Sequence, residues 1–426
     1  MRLAILQGDN RERLREFPDN HFASCVCDPP YELGFMGKKW DRTGIAYDVE
    51  MWREVWRVLK PGAHLLAFGG ARTYHRLACA VEDAGFEIRD QIMWLYGSGF
   101  PKSQDVSKAM DKLCKHRGQD FAVIDHIAGK IDVVHIPTTS LAEYWNGWGT
   151  ALKPAHEPIV VARKPLEGTV VQNVLKWGCG ALNIWACRVE IKEKLRNYTD
   201  VGVAARGCTY QLGPTPPGNH PESLRHNARG RWPANVIHDG SEEVMAEFAK
   251  YGERKTGNSC VKRLSGKDEK GYRGTSLGAE SRPSGAVMKC HLDNGGGAAR
   301  FFYCAKASPA ERNLGAEMVP KLDFSGGGGI AHPKADAYQA RKSGRNHHPT
   351  VKPLALMAYL VRLVTPPGGV VLDQFLGSGS TLIAAAKEGF DAVGIDQEAA
   401  YCELAAARCR GHLGMLAEIE RLGSGF

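Results

Sequence analysis

The sequence predicts an α/β protein in which a parallel sheet is interrupted by a long, loop-rich insertion. Strand and helix patterns alternate over roughly the first hundred residues, and the same alternation returns after His347. The stretch between them is rich in glycine, proline, arginine and histidine. Strands separated by helices are typical of a parallel sheet. We therefore expect residues 1–163 and 346–426 to form one α/β domain and residues 164–345 to form a second, inserted domain.

The N-terminal elements follow from their hydrophobic patterns. The apolar runs Leu3–Leu6 and Phe22–Cys27 predict two short strands. Tyr47–Leu59 has helical spacing and is followed by Pro61-Gly62, a common stop for a helix. The next predicted elements are a strand in HLLAFGG, a helix over Arg72–Ala84 and a longer strand in FEIRDQIMWLY.

The C-terminal elements repeat this order. Pro353–Val364 predicts a helix, GGVVLDQF a buried strand and GSGSTLIAAAKEG a loop that opens into a helix. FDAVGID predicts the next strand and Gln397–Cys409 the next helix. The insertion contains only short patterns, such as the strand-like ANVIHD and the helix-like EEVMAEFAKY.

The composition is that of a globular protein with a basic surface. The 426 residues are 43% apolar and 24% charged, with a formal net charge of +8, which mildly favours a polyanionic partner. No apolar run approaches the length of a membrane span, and polar residues interrupt the N-terminus, so a cytoplasmic protein is predicted. None of the twelve cysteines forms a Cys-x-x-Cys pair, which favours reduced, buried thiols over a metal site.

The segment VVLDQFLGSGST predicts a ligand-binding turn between a strand and a helix. Gly377 and Gly379 allow a ligand to approach the backbone closely, and the following helix start offers unpaired N–H groups. A pyrophosphate is disfavoured, because the third glycine of the dinucleotide pattern is missing and Asp373 would repel it. S-adenosylmethionine suits both ends, with its ammonium at Asp373 and its ribose at Asp396, which ends the next strand. The alternative is that these two acids only cap helices.

The segment DPPY, at the end of the second predicted strand, has the groups needed to hold an amine. The Asp28 carboxylate and the Pro29 carbonyl can each accept a hydrogen from an exocyclic amine, and Tyr31 offers a face for a base to stack on. Pro29 and Pro30 make the segment rigid, which favours a fixed geometry for transfer. The alternative is a proline-rich turn that Asp28 merely caps.

In combination, DPPY and DQFLGSGST resemble the amino-methyltransferases that methylate exocyclic nitrogens in DNA. Gln374 stands where the family generally has proline, and Ser380 where it often has threonine. Because DPPY precedes the glycine loop, the chain resembles the β class, whose Rossmann-like S-adenosylmethionine-dependent sheet is circularly permuted around a target recognition domain. GWGTALKPAHEPIVVARKP, residues 147–165, resembles prophage-type members.

The resemblance implies a set of site residues. Residues 348–353, HPTVKP, resemble the segment that helps to bind the methionine end of the cofactor, and Asp9 is expected near its adenine amine. The catalytic residues would be Asp28, Pro29, Pro30 and Tyr31. The cofactor contacts would be Asp9, Thr350, Lys352, Pro353, Asp373, Phe375, Gly377, Ser378, Gly379, Ser380, Thr381 and Asp396.

The inserted domain would then contact double-stranded DNA, and members of the class are often homodimers. Two basic stretches are candidates for phosphate or guanine contacts, although each can also be a solvated loop. They contain Arg225, His226, Arg229 and Arg231, and Lys262 with Arg263.

Asp28 favours the N6 of adenine as the target, because N4-cytosine members more often carry Ser-Pro-Pro-Tyr. N4-cytosine methylation is the first alternative. An inactive DNA-binding relic is more remote, since the expected motif residues are present. A nicotinamide-dependent oxidoreductase is opposed by the missing third glycine and by DPPY. A solitary methyltransferase and one half of a restriction-modification system are equally compatible with the sequence.

Overall fold

A computed structural model describes most of both predicted α/β segments and parts of the region between them. It divides into two compact units, Met1–Trp94 together with Pro158–Phe426, and Leu95–Glu157. The described residues are 1–34, 39–97, 99, 103–114, 119–125, 130–190, 230–250, 302–304, 311, 313–316, 346, 348, 350–414 and 418–422.

The described strands of the larger unit belong to a single sheet. Its strand order is β12-β1-β11-β10-β2-β3-β7-β4-β8-β9, and β5 and β6 form a separate antiparallel pair. The bounds are β1 Arg2–Gln7, β2 Phe22–Cys27, β3 Leu59–Phe68, β4 Glu87–Leu95, β5 Gln119–Asp125, β6 Lys130–Ile136, β7 His156–Arg163, β8 Val236–His238, β9 Tyr303–Cys304, β10 Val370–Asp373, β11 Asp391–Asp396 and β12 Glu418–Leu422.

Helices follow most of these strands, and several begin at a polar cap. Asp48 accepts hydrogen bonds from the N–H groups of Glu50 and Met51, and Thr169 forms a capping box with Gln172. The bounds are α1 Asn10–Leu14, α2 Val49–Val58, α3 Tyr74–Asp83, α4 Val106–Leu113, α5 Ser140–Tyr144, α6 Val170–Trp177, α7 Glu242–Ala249, α8 Leu354–Val364, α9 Ser380–Lys387 and α10 Ala399–Leu413. Lys39–Arg42 and Ile45–Tyr47 are short 3₁₀ helices.

The predicted α/β class is confirmed by the strand pairing. The neighbours β12, β1, β11, β10, β2 and β3 run parallel, and β7 pairs antiparallel with β3. The two ends of the chain contribute to one sheet, because β2 lies directly beside β10, with Leu372 opposite Cys25. The predicted division at residues 163/164 and 345/346 stays a prediction.

Both faces of the sheet are covered, which explains the continuous apolar runs of its strands. Along β3, Leu66 and Phe68 point into one core and Leu65 and Ala67 into the other. The first core is completed by side chains of α8, α9 and α10, and the second by side chains of α2 and α3. Side chains alternate between the faces of a strand, so a strand buried on both sides needs apolar residues at every position.

The prediction that β3 begins near His64 is wrong by five residues. The strand already begins at Leu59 and continues through Pro61 and Gly62. Its register with β2 shifts there, since Leu59 lies opposite Phe22 but His64 lies opposite Ser24. Gly62 has a φ of +80° and donates its N–H to the carbonyl of Lys164. An irregularity of this kind lets a strand contain a proline that would otherwise disrupt the ladder.

The smaller unit, Leu95–Glu157, was not distinguished in the sequence. It contains α4, α5 and the β5–β6 pair. Its buried Asp111 accepts hydrogen bonds from the backbone N–H groups of Thr138 and Thr139. A carboxylate that is satisfied in this way connects α4 to the start of α5. Among the described residues, no helix combines the length and apolar character needed to cross a membrane.

Candidate active site

The carboxyl ends of three neighbouring strands open into one cavity of about 610 Å³. Asp28 follows β2, Asp373 ends β10 and Asp396 ends β11, and all three line the cavity. In parallel sheets this edge is the usual position of ligand sites. The structure therefore brings together the three acidic side chains that the sequence predicted at strand ends.

The glycine loop after β10 has backbone angles and a close contact that favour glycine over larger residues. Gly377 has a φ of +49° and donates its N–H to Asp396 Oδ2 at 2.8 Å. Gly379 has a φ of +77°, and a Cβ there would lie 2.8 Å from the Cβ of Ala405. The loop consequently turns tightly against α10 before α9 begins at Ser380.

Arg408 of α10 forms hydrogen bonds with this loop, a role that was not predicted from the sequence. Its side chain is fully buried, and Nη1 donates to the carbonyl of Ser378 at 2.5 Å. The same nitrogen lies 3.0 Å from Ser378 Oγ and 3.2 Å from Ser380 Oγ. The one sequence pattern that could have indicated it is an arginine among the buried alanines and cysteines of α10, because a buried charge requires polar partners.

Glu311, within the predicted inserted region, forms hydrogen bonds with α8 and α10. Its side chain accepts a hydrogen bond from the N–H of Leu354 at 2.5 Å, at the start of α8. Its carbonyl lies 3.5 Å from Arg408 Nη2 and 3.1 Å from His412 Nε2. A described part of the inserted region is thus hydrogen-bonded to the start of α8 and to α10, the helix whose Arg408 contacts the glycine loop.

The two acids beside the loop are held in an environment that disfavours their charge. Burial raises the pKa of Asp373 to about 7, against a hydrogen bond from Thr381 and another from the N–H of Phe375. Burial also raises the pKa of Asp396 to about 6, although the N–H groups of Gly377 and Glu398 both donate to it. A cationic ligand would favour the carboxylate form of either group.

These side chains fit the predicted cofactor. Among the described residues no lysine, arginine or histidine forms an ion pair with Asp373, so its buried carboxylate can hold an ammonium group. Asp396 reaches the same cavity from the next strand, where a carboxylate can accept hydrogen bonds from ribose hydroxyls. When bound there, S-adenosylmethionine supplies an electrophilic methyl group on a sulfonium sulfur.

The affinity for S-adenosylmethionine is expected to increase with pH. A cation at Asp373 favours the carboxylate, whose pKa of about 7 lies well above the ordinary value of 3.8, so binding at low pH must release a proton. Calorimetry between about pH 6 and about pH 7.5, below the titration of a free α-amino group, should show affinity rising and proton release falling. Asp373→Asn should leave only the weaker dependence that Asp396, with a pKa of about 6, contributes at the lower end of the range. Equal affinities across the range in the wild type would contradict the prediction.

The DPPY segment forms hydrogen bonds with residues from both the N-terminal and the C-terminal parts of the chain. Asp28 Oδ2 accepts a hydrogen bond from Lys352 Nζ at 2.7 Å, and Tyr31 Oη lies 3.1 Å from the same nitrogen. On its other side, Thr73 Oγ1 donates to the carbonyl of Tyr31 at 2.7 Å. Glu32, which follows, has a φ of +54°, a strained value for a non-glycine residue. The tyrosine ring is therefore held at both its backbone and its hydroxyl.

Gln374, the departure from the usual family segment, connects the loop to the DPPY strand. Its amide oxygen accepts from Cys25 Sγ at 3.0 Å, and its amide nitrogen donates to Cys27 Sγ at 3.5 Å. Asn10 Nδ2 in turn donates to the carbonyl of Gln374 at 3.3 Å. The glutamine is almost fully buried, so these contacts satisfy an amide that the core would otherwise disfavour.

The cavity includes most of the predicted cofactor residues. Asp9 lines it, caps α1 through the N–H of Arg11 and forms an ion pair with the Arg11 side chain. Pro353 caps α8 and Gly379 precedes α9, and neither of them lines the cavity. The other predicted cofactor residues that line it are Thr350, Lys352, Asp373, Phe375, Gly377, Ser378, Ser380, Thr381 and Asp396, and the four DPPY residues also line it.

Of the predicted DNA contacts, only Arg231 is described. Its backbone forms an isolated bridge with Val189. Next to it, Trp232 is 64% exposed, and the guanidinium of Arg188 lies 5.4 Å from its ring centre. The remaining predicted contacts lie outside the described residues: Arg225, His226, Arg229, Lys262 and Arg263. In the part of the chain that is described, no three His, Cys, Asp or Glu side chains form a metal site.

Two solved structures are similar to this chain over most of its length. One is the Thermus thermophilus protein TTHA0409 in complex with S-adenosyl-L-methionine, with 17% identity, 99% coverage of each chain and a TM-score of 0.39. The other is the PvuII DNA methyltransferase (cytosine-N4-specific), with 12% identity, 96% coverage of this chain, 86% of that chain and a TM-score of 0.42.

Sequence comparison gives the family. The type II methyltransferase M.HindIII of Haemophilus influenzae is 31% identical over 139 residues, which are 32% of this chain and 38% of that protein. The match therefore spans well under two thirds of this relative. The model of the N6/N4 methyltransferase family, described as DNA methylase, matches residues 22–407, which include both DPPY and the glycine loop. The chain belongs to this family of DNA methylases, whose cofactor is S-adenosylmethionine.

Proposed function

We propose that this protein transfers a methyl group from S-adenosylmethionine to the exocyclic N6 of adenine in double-stranded DNA, with the base flipped out of the helix. The observation that carries the proposal is the position of Asp28. Asp28 lines the same cavity as Asp373 and Asp396, although these two residues lie near the other end of the chain. An amine acceptor and a cofactor site in one cavity are what methyl transfer to an exocyclic nitrogen requires.

The DPPY residues would orient the amine for attack. Asp28 and the carbonyl of Pro29 accept its two hydrogens, which directs the nitrogen lone pair away from conjugation with the ring. Tyr31, held at its hydroxyl and its backbone, gives the base a fixed face to stack on. The amine nitrogen would form the new bond to the methyl carbon as the carbon–sulfur bond of the sulfonium breaks, which leaves S-adenosylhomocysteine. The methylated nitrogen would then give up one proton, which the Asp28 carboxylate is placed to accept. A rigid support contributes because transfer depends on near-attack geometry.

The preference for adenine rests on an aspartate in the first position of DPPY. The positive net charge of +8 supports a DNA substrate in general, but it does not distinguish bases. N4-cytosine is the alternative target, because its exocyclic amine would meet the same acceptors. Arg231, with Arg188 and the exposed Trp232 beside it, supports a DNA-facing surface within the inserted region.

We also infer a permuted, β-class arrangement. In its support, the strand that carries DPPY precedes the glycine-loop strand by more than 300 residues, and the two pair directly in the sheet. The prophage type, the homodimer, the role in restriction-modification and the cytoplasmic location stay predictions.

Nucleoside analysis tests the proposed function. The protein is incubated with unmethylated plasmid DNA and methyl-labelled S-adenosylmethionine, and the digested DNA is analysed by mass spectrometry. We expect labelled N6-methyladenine. Labelled N4-methylcytosine would assign the alternative base, and absence of label with a folded, cofactor-binding protein would contradict the proposal. A reaction without enzyme provides the background.

A further inference from the structure

Lys352 is placed against the base-binding residues. Its ammonium lies 2.7 Å from Asp28 Oδ2 and 3.1 Å from Tyr31 Oη, so a single nitrogen contacts both ends of the DPPY segment. The side chain is 7% exposed, and its nitrogen lies 4.9 Å from the ring centre of Phe68, a fully buried residue of β3. The lysine is therefore largely buried and lies beside Asp28 at the wall of the cavity.

The charge of Lys352 does not by itself assign it to the methionine end of the cofactor. That end carries a carboxylate with which a lysine could pair, but also an ammonium and a sulfonium that a lysine would repel. The cavity already presents two acids for the cofactor, Asp373 and Asp396. The position of Lys352 is explained by Asp28 instead, because a carboxylate that is 18% exposed is stabilised by a directly bonded ammonium.

We propose that Lys352 is a positioning residue for the target base, which holds the Asp28 carboxylate and the Tyr31 ring in the geometry that receives the amine. This inference rests on the proposed function. The ion pair restricts the rotation of Asp28, and the bond to Tyr31 Oη fixes the ring plane on which the base stacks. Since both contacts come from one nitrogen, the amine acceptor and the stacking face are held at a constant relative position.

Lys352→Met tests this role, because it removes the charge and keeps most of the length. We expect kcat for DNA methylation to fall about 100-fold, a loss that misplacing reacting groups by about 1 Å can cause. The Kd for S-adenosylmethionine, measured by calorimetry without DNA, should change less than about threefold, in either direction. Lys352→Arg keeps the charge and should recover about tenfold of the lost activity.

Two further variants separate positioning from general damage. Lys387→Met makes the same change at an exposed position of α9 and should behave as the wild type. Tyr31→Phe removes the second contact without leaving a buried charge, so it should lower kcat severalfold and leave cofactor affinity unchanged. Because Tyr31→Phe is an independent test, the proposal remains testable if Lys352→Met fails to fold.

The outcomes are distinct. Cofactor affinity that falls together with kcat in Lys352→Met would make Lys352 a cofactor ligand and overturn the proposal. Wild-type kcat in Lys352→Met, or a folded Lys352→Arg that is no better than Lys352→Met, would overturn it as well. A wild-type protein that does not methylate DNA would contradict the proposed function alone, and the calorimetric comparison would still decide whether Lys352 binds the cofactor.

Discussion

Replacing Asp28 by alanine is expected to abolish detectable methyl transfer while S-adenosylmethionine still binds. The carboxylate lies at the end of β2 and lines the cavity, so its loss removes an acceptor for the amine and for the proton that leaves it. Groups of this kind contribute about 10²- to 10⁴-fold to rate. The measurement is kcat on plasmid DNA with labelled cofactor, together with calorimetry of the cofactor alone.

The substitution also leaves the Lys352 ammonium without its ion pair, so stability needs a separate measurement. Asp28→Asn keeps the volume and one carbonyl oxygen, and it should retain more stability than Asp28→Ala but little activity. Asp83→Ala, at the exposed end of α3, makes the same change away from the cavity and should leave kcat unchanged. Methylation by folded Asp28→Ala at a rate near that of the wild type would disprove the catalytic assignment.

Replacing Asp396 by alanine is expected to weaken S-adenosylmethionine binding about 10- to 100-fold, because hydrogen bonds to a charged group contribute about 1.5–3 kcal/mol. Two effects combine here. The carboxylate can no longer accept hydrogen bonds from the ribose, and the N–H of Gly377 loses the oxygen that holds it at 2.8 Å. The Kd for S-adenosylmethionine, measured by calorimetry, reports the sum of the two effects.

A second variant distinguishes the two. Asp396→Asn can still accept a hydrogen bond from Gly377, so it should keep the loop in place and lose mainly the charge. Asp391→Ala, at the other end of the same strand, removes a carboxylate that forms an ion pair with Arg2 and should leave cofactor affinity unchanged. Unchanged affinity in Asp396→Ala would remove this residue from the cofactor site.

The elements that position the site were predictable because their patterns are local. The strand, glycine turn and helix around Asp373 lie within one short segment, and the conformations of Gly377 and Gly379 follow from their lack of a Cβ. The strand before Asp28 is likewise a single apolar run. The carboxyl ends of parallel strands meet at one edge of a sheet, so the sequence was enough to predict that the acids lie together.

The supporting contacts could not be predicted, because they join residues far apart in the chain. The Lys352–Asp28 pair spans 324 residues, and the Arg408–Ser378 bond connects α10 to the glycine loop. In neither pair does the sequence around one residue indicate which residue it will contact. The early start of β3 was missed for a related reason, since Pro61-Gly62 is a helix stop in isolation, and the irregular pairing with β2 that accommodates it depends on the neighbouring strand.

The sequence by itself determined the α/β class, the DPPY segment, the glycine loop and the acids at the ends of the strands. It could do so because the hydrophobic period, glycine and proline affect only the few residues around them in the chain. Only the tertiary structure decided which strands are neighbours, what holds the glycine loop and where the Lys352 ammonium lies. A lysine side chain has several rotatable bonds, so the group that it contacts depends on which charged and buried residues surround it in the folded protein. For this protein, those surroundings place Lys352 on the residue proposed to hold the target amine.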